Sequence, residues 1–180
     1  MAQWNIDPTH TSAEFSVRHM MITNVRGKFE TVSGVVNFDA ANPAAASIDV
    51  TIDVSSINTG VADRDAHLRG ADFFDVEKFP NITFKSTNVQ VNSDNSAKVT
   101  GDLTIRDVTR SVVIEGEYLG QHKTPFGTTI TGFNGTTQIN REDFGLTWNV
   151  ALETGGVLVG KDIKIALEVE AVLATEEQPA

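Results

Sequence analysis

From Ala13 the chain alternates between apolar and polar side chains. Ala13, Phe15, Val17 and His19 share one face, with Glu14, Ser16 and Arg18 opposite. This is the period-two pattern of a strand buried on one side. Ile48, Val50, Ile52 and Val54 alternate in the same way with Ser47, Asp49, Thr51 and Asp53. The cleanest run comes last, with Ile163, Ile165, Leu167, Val169, Ala171 and Leu173 on one face. Residues 25–39, 82–91, 99–105, 112–119 and 128–140 read as further strands. Clusters of turn-forming residues part them at 39–46, 92–96, 106–110 and 124–127, with a turn or short helical loop at 140–145. Residues 4–11 read as an extended lead-in, because Asp7 precedes Pro8. Met20-Met21-Ile22 reads as a short apolar link, and Gly155-Gly156 and Gly160 punctuate a late loop around Trp148. Gly27, Gly34, Gly101 and Gly132 are the expected bulge or bend points.

One stretch breaks the alternation. Residues 61–70 predict a short helix, capped at its start by Asn58 or Thr59 and ended by Gly70 in a left-handed conformation. Asp63 and His67, and likewise Asp65 and Arg69, stand at helical spacing for a shared face. Val61 and Leu68 are expected to turn inward, while Asp63, Arg64, Asp65, His67 and Arg69 make the wetted side. Arg64 is the expected clamp onto neighbouring loops. Phe73, Phe74 and Phe79 follow closely and predict an aromatic lid over one end of the fold.

About eight strands joined mostly by short turns predict an all-β, antiparallel up-and-down arrangement, either a sandwich or a closed barrel. An eight-stranded barrel either fills itself with side chains or holds one slim ligand. By strand parity, the inward set is Phe15, Val17, Ile48, Val50, Ile52, Ile82, Phe84, Leu103, Ile105, Phe133, Ile165 and Leu167.

Composition removes several function classes. With 180 residues the chain suits one domain, 40% of it hydrophobic and 21% charged. A net charge of -10 argues against nucleic acid and anionic membranes as partners. There is no Cys, hence no disulfide framework and no thiolate nucleophile. No stretch approaches the roughly 20 apolar residues of a membrane helix. The opening Met-Ala-Gln-Trp-Asn lacks the basic and apolar regions of a signal peptide, so a soluble, cytoplasmic protein is expected, or a periplasmic or secreted one if a leader has been removed. Residues 1–174 are expected to form the domain and 175–180 a flexible tail.

Segments spread over nearly the whole chain carry a resemblance to a known family. They include Trp4 to His10, Phe15-Ser16-Val17-Arg18-His19, Val25-Arg26-Gly27-Lys28-Phe29 and Ile57-Asn58-Thr59-Gly60. Others are Arg64-Asp65-Ala66-His67-Leu68, Asp72-Phe73-Phe74-Asp75, Phe79-Pro80-Asn81-Ile82-Thr83-Phe84 and Gly101-Asp102-Leu103-Thr104-Ile105-Arg106. Ile139 to Gly145 and Val159-Gly160-Lys161-Asp162 complete the set. Together they resemble the YceI-like family, the lipid- or polyisoprenoid-binding domain. Asp107 departs from it, standing where the family's turn is expected to have Gly. The resemblance implies an eight-stranded antiparallel lipocalin-like barrel. It also implies an apolar tunnel for a long isoprenoid, such as an isoprenoid quinone or a polyprenyl compound, and a homodimer.

Chemistry-bearing residues are few. His67 with Asp63 and Asp65 offers two ligands on one helical turn, a weak metal signal without a third. His19 shares a face with Phe15 and Val17, and reads either as a contact to a ligand head group or as a hydrogen-bonded core residue. Arg141 and Asp143 are expected to pair with each other or with Arg64 and Asp65, with Arg141 as a clamp. Trp148, Phe73, Phe74 and Phe79 are core filler or pocket lining. No phosphate loop, dinucleotide motif or Gly-x-Ser-x-Gly occurs. The expectation is a non-enzymatic protein that binds, transports or stores a long isoprenoid, with no cofactor and no metal. The alternatives are an enzyme using His19 or His67 as acid or base, and a stress-response barrel with a filled core.

Overall fold

The computed structural model describes residues 1–174. The 175–180 tail therefore lies outside the described residues. Eight strands form a closed ring: β1 (Ala2–Ile6), β4 (Val32–Phe38), β5 (Ser47–Asp53), β7 (Asn81–Val91), β8 (Ser96–Ile105), β9 (Val108–Lys123), β10 (Thr129–Asn140) and β11 (Val159–Leu173). Every neighbouring pair is antiparallel, and β1 closes on β11 with Trp4 opposite Leu173 and Ile6 opposite Ala171. Three shorter strands, β2 (Ser12–His19), β3 (Thr23–Phe29) and β6 (Ile57–Asn58), prolong β1, β4 and β5 beyond short breaks. The sequence pattern resolves into a closed barrel.

The breaks have local causes. Pro8 has no N–H to give to a ladder, and Asp7 accepts from Thr9 N at 2.9 Å to cap a 3-10 turn at Pro8–His10. Residues 4–11 are thus a strand and a turn, not one extended lead-in. Trp4 is buried in the core, with its indole N–H on Phe38 O at 3.2 Å. Asp53 caps a second 3-10 turn, Val54–Ser56, through Ser55 N at 3.0 Å.

Two of the four glycines lie at register shifts. β10 shifts against β9 between Thr131 and Phe133, at Gly132, and β7 shifts against β8 between Ser86 and Asn88, beside Gly101. At Gly27 and Gly34 the ladders run without a break. Gly27 has a packing reason instead. It pairs with Phe15, and a Cβ there would lie 2.5 Å from the Phe15 ring. The missing side chain is what lets that ring lie across the neighbouring strand. The two-residue turn Arg106-Asp107 puts the left-handed residue at Arg106, φ 57°, so Asp107 in place of Gly strains nothing.

Among the described residues one α-helix is present, α1 (Ala62–Arg69). Its start and end differ from the expected caps. Val61 is the N-cap and is exposed rather than inward, and Gly70 is extended, at φ -78°. Thr59 does contribute, but in reverse. Asp65 is buried and reaches back to accept from Thr59 N at 2.9 Å and Thr59 Oγ1 at 2.5 Å. Asp65 therefore has no Arg69 partner. Arg69 donates to Ser55 O and Ile57 O, and His67 turns to Asp72 instead of Asp63.

Because neighbouring strands alternate in direction, the β2–β3 turn, α1, a 3-10 turn at Arg141–Phe144 and the loop 146–158 gather at one rim. The turns at 39–46, 92–95 and 124–128 lie at the other. The core divides accordingly. Trp4, Ile6, Val36, Phe38 and Ala171 pack one end, and a larger cluster around Phe29, Phe73, Ile82 and Phe144 packs the rest.

Candidate functional site

Inside the barrel lies a cavity of about 370 Å³, within the range of small-molecule pockets. It excludes the filled-core barrel. All twelve residues of the parity set line it. Phe15 and Val17 come from β2; Ile48, Val50 and Ile52 from β5; Ile82 and Phe84 from β7; Leu103 and Ile105 from β8. Phe133 comes from β10, and Ile165 and Leu167 from β11. Strict alternation made this possible, since each strand keeps one parity over its inward length.

The lining also holds His19, Phe73, Phe74 and Trp148. Phe79 is the exception. It lies outside the lining, half-buried, with the Arg106 guanidinium 5.6 Å above its ring. The turn after α1 rotates it away: Phe79 N donates to Asp75 O, and Asp75 itself is left-handed at φ 52°. Val25, Phe29, Ile139 and Ile163 are lining residues that the parity list omitted. Phe29 and Ile139 sit at strand ends, where breaks obscure the alternation.

Aromatic groups mark both ends of the cavity. Phe38, Tyr118 and Phe133 pack together at 5.0 to 5.4 Å between centroids and floor the far end. His67, Phe73 and Trp148 form a second trio at 4.8 to 5.3 Å. His67 lines the cavity while its side chain is 43% exposed, so the cavity meets solvent at this rim. Phe74 continues the cover, edge-on to Phe29 at 5.8 Å.

Polar groups in the lining are mostly occupied elsewhere. Arg64 is half-buried and donates from Nε to Thr59 Oγ1 and from Nη2 to Thr59 O, both at 2.8 Å. It clamps the segment leading into its own helix. Arg141 is buried and meets neither Asp143 nor the Arg64–Asp65 pair. Its guanidinium donates to the carbonyls of Leu146, Trp148, Val159 and Gly160 at 2.6 to 3.2 Å. Burial lowers its pKa, against the opposing pull of Glu142, but an arginine remains charged. It is the peg on which the loop carrying Trp148 hangs. Its clamp role was legible as a residue type; its carbonyl partners were not, because they come from an unpatterned loop.

His67 Nε2 lies 3.0 Å from Asp72 Oδ2, with both side chains substantially exposed. His19 is half-buried; its carbonyl accepts from Ile22 N at 3.1 Å, and no hydrogen bond to its imidazole is seen among the described residues. Asp7, His10 and Glu170 form a group close enough to hold a metal ion. They are already engaged with one another: His10 Nδ1 is 2.8 Å from Asp7 Oδ2 and 3.7 Å from Glu170 Oε1. None of the three lines the cavity. A larger groove, about 980 Å³, crosses the outside of the barrel. Glu14, Arg26, Lys28, Glu115 and Lys164 along it make it unsuited to an apolar ligand.

Comparison with known proteins agrees with this geometry. Residues 4–171 match the model of the YceI-like domain. The UPF0312 protein SA2479 of Staphylococcus aureus (strain N315) is 39% identical over 171 residues, which cover 94% of this chain and 97% of that protein. The crystal structure of Burkholderia cenocepacia BcnA superposes with a TM-score of 0.78 at 25% identity, covering 92% of this chain and 98% of that one. A polyisoprenoid binding domain from Saccharophagus degradans shares the fold, with a TM-score of 0.70 at 14% identity over 96% of this chain and 99% of its own. No helix among the described residues is long and apolar enough to cross a membrane.

Proposed function

The chain belongs to the YceI-like family, and on that premise we propose that it binds a long isoprenoid lipid, an isoprenoid quinone or a polyprenyl compound, as a non-enzymatic carrier or store. The observation that carries the reading is the cavity itself. It is apolar along its length, floored by one aromatic trio and covered by another. A ligand of matching chemistry is slim, long and apolar. Its binding draws on buried surface, at roughly 25 cal/mol per Å² before the costs of association. The shared fold with a polyisoprenoid binding domain supports the same class.

His19 and His67, at the open rim, are the groups a lipid head would meet. Transport, homodimer formation and cytoplasmic residence are part of the reading. They are tested by transfer of bound lipid between vesicles, sedimentation equilibrium and cell fractionation. The central test is organic extraction of protein purified from its native source, followed by mass spectrometry. An isoprenoid is expected from the wild type and little from Val99→Trp, which fills the cavity from β8. No isoprenoid in the wild-type extract would overturn the proposal.

One observation favours a second reading. A His–carboxylate pair, His67 with Asp72, stands at the cavity rim, as an acid/base enzyme would need. Its exposure to water argues for a surface contact. The variants His19→Gln and His67→Gln separate the two readings. A carrier keeps its lipid in both, whereas an enzyme loses turnover of a lipid substrate in one.

A further inference from the structure

The β2–β3 turn carries Met20, Met21 and Ile22, exposed to 45%, 59% and 77%. Beside it Val150 is 47% exposed. The turn and the loop 146–158 form one unit. Met20 N donates to Leu158 O at 2.8 Å, and Met21 lies over Gly156, so closely that a Cβ there would collide with its Sδ. The unit borders the open end of the cavity. His19, which lines the cavity, immediately precedes the turn, and Trp148 and Leu158, also lining, bracket Val150.

Two features set this rim apart. Met20 and Met21 both adopt left-handed backbone, at φ 50° and 63°. A turn of that shape favours Asn and Gly, and a long side chain there costs stability. Folding alone therefore selects against this pair, and so does solubility. The second feature is charge. In a chain of net charge -10, residues 19–25 and 144–152 contain no Asp, Glu, Lys or Arg. The charges that border these stretches are Arg18, whose Nη1 donates to Ile22 O at 3.0 Å, Arg26, Asp143 and Glu153.

We propose that this turn, with the adjoining loop, inserts into the surface of a lipid bilayer and sets the mouth of the cavity against it. The inference rests on the isoprenoid reading above: a water-insoluble chain reaches a cavity only if the mouth meets the phase that holds it. The turn and residues 144–152 carry no acid, with Glu153 just beyond them, so this tip is the part of an acidic protein that a bilayer repels least, and its apolar side chains gain by leaving water. A second copy of the chain fits less well. Four side chains on a convex tip fall short of the roughly 800 Å² per partner of a stable interface.

The test is flotation with phosphatidylcholine vesicles, comparing the full chain with the double variant Met21→Asp, Ile22→Asp. Both positions are exposed and outside the cavity, so thermal midpoint and extractable lipid are expected to stay unchanged. The wild type is expected to float with the vesicles, and the variant's floating fraction to fall at least tenfold. A wild type that does not float, or a variant that floats equally, overturns the docking. So does a wild-type dimer in sedimentation that the variant turns into a monomer, which would assign the tip to a second copy. Lipid extraction is read separately. Wild type that holds isoprenoid yet fails to float removes the docking alone, and flotation without extractable isoprenoid supports the docking while removing the ligand reading.

Discussion

His67 stands edge-on to Trp148, with ring centroids 4.8 Å apart and planes 89° apart. One ring comes from α1, the other from the loop before β11. The contact ties the helix to that loop across the open rim, and Phe73 completes it at 5.3 Å from Trp148. Such a pair is worth about 1 kcal/mol beyond the area it buries.

Trp148→Ala is expected to lower stability by about 2 kcal/mol, below the cost at a fully buried site because the ring is half-exposed. It is also expected to speed the release of bound lipid. His67→Gln removes one edge-to-face partner and is expected to cost under about 1 kcal/mol. Thermal denaturation and a fluorescent-lipid release assay measure both. Release from Trp148→Ala at the wild-type rate would show that Trp148 has no part in the cover.

Arg141→Lys tests the peg. Lys has a single ammonium and cannot reach four carbonyls that a planar guanidinium spans. Leu146 O and its neighbours would be left without their donors, at about 3 kcal/mol. For a chain of this length that is a fall in Tm of very roughly 10 °C. Loss of lipid retention at temperatures where the barrel remains folded is expected, since the loop holding Trp148 loosens first. A variant with unchanged Tm would show the carbonyls satisfied by water.

The Asp7–His10–Glu170 group predicts a pH dependence. The hydrogen bond to Asp7 and the charge of Glu170 raise the His10 pKa from 6.5. A group whose folded pKa is raised contributes fully below its unfolded value, and the contribution is lost as pH rises through the folded pKa. Asp7 shows the opposite direction. Burial pushes it up, but hydrogen bonds from His10 and Thr9 outweigh this and hold it below 3.8. Its contribution is present above 3.8 and lost as pH falls through the lowered value. Wild type is therefore expected to exceed His10→Gln in Tm at pH 5.5, and by less at pH 8.5. His10 is 63% exposed, so the difference is expected at under about 1 kcal/mol. A gap that widens with pH would contradict the assignment.

Much of the barrel was legible because its strands alternate strictly. Ile48, Val50 and Ile52, or Ile165 and Leu167, could be placed inward from parity alone, and the cavity lining contains them. What lay hidden was set by contacts distant in sequence. Trp4 looked like part of a lead-in because Pro8 dominated the local signal, yet its burial depends on β4 and β11. Asp65 looked like a surface partner for Arg69, but the loop at Thr59 folds back and claims it. The Phe38–Tyr118–Phe133 floor joins three strands and has no local pattern. Residues 146–158 follow no period, so only a structure could show Trp148 against His67.

The segment after α1 sets Phe73 and Phe74 against the cavity. Its backbone is pinned independently of its side chains: Phe73 N and Asp75 N donate to Gly70 O, and Phe74 N donates to Leu68 O at 3.0 Å. Truncating a ring should therefore open the cover without unravelling the turn. Phe74 suits this better than Phe73, which is 7% exposed and part of the core. Phe74 is half-buried, lines the cavity and meets Phe29 edge-on. Phe74→Ala is expected to cost about 2 to 3 kcal/mol, at the low end for an aromatic truncation. It is expected to raise the rate of lipid release at least tenfold, about 1.4 kcal/mol of barrier. The control must be chosen with the helix geometry in mind. Asp65→Asn would disturb the buried contact to Thr59, so it cannot stand for a surface change. Asp63→Asn can, since Asp63 is exposed, and it is expected to leave release unchanged. If Phe74→Ala and Asp63→Asn release lipid at the same rate, the aromatic cover is packing and not a lid.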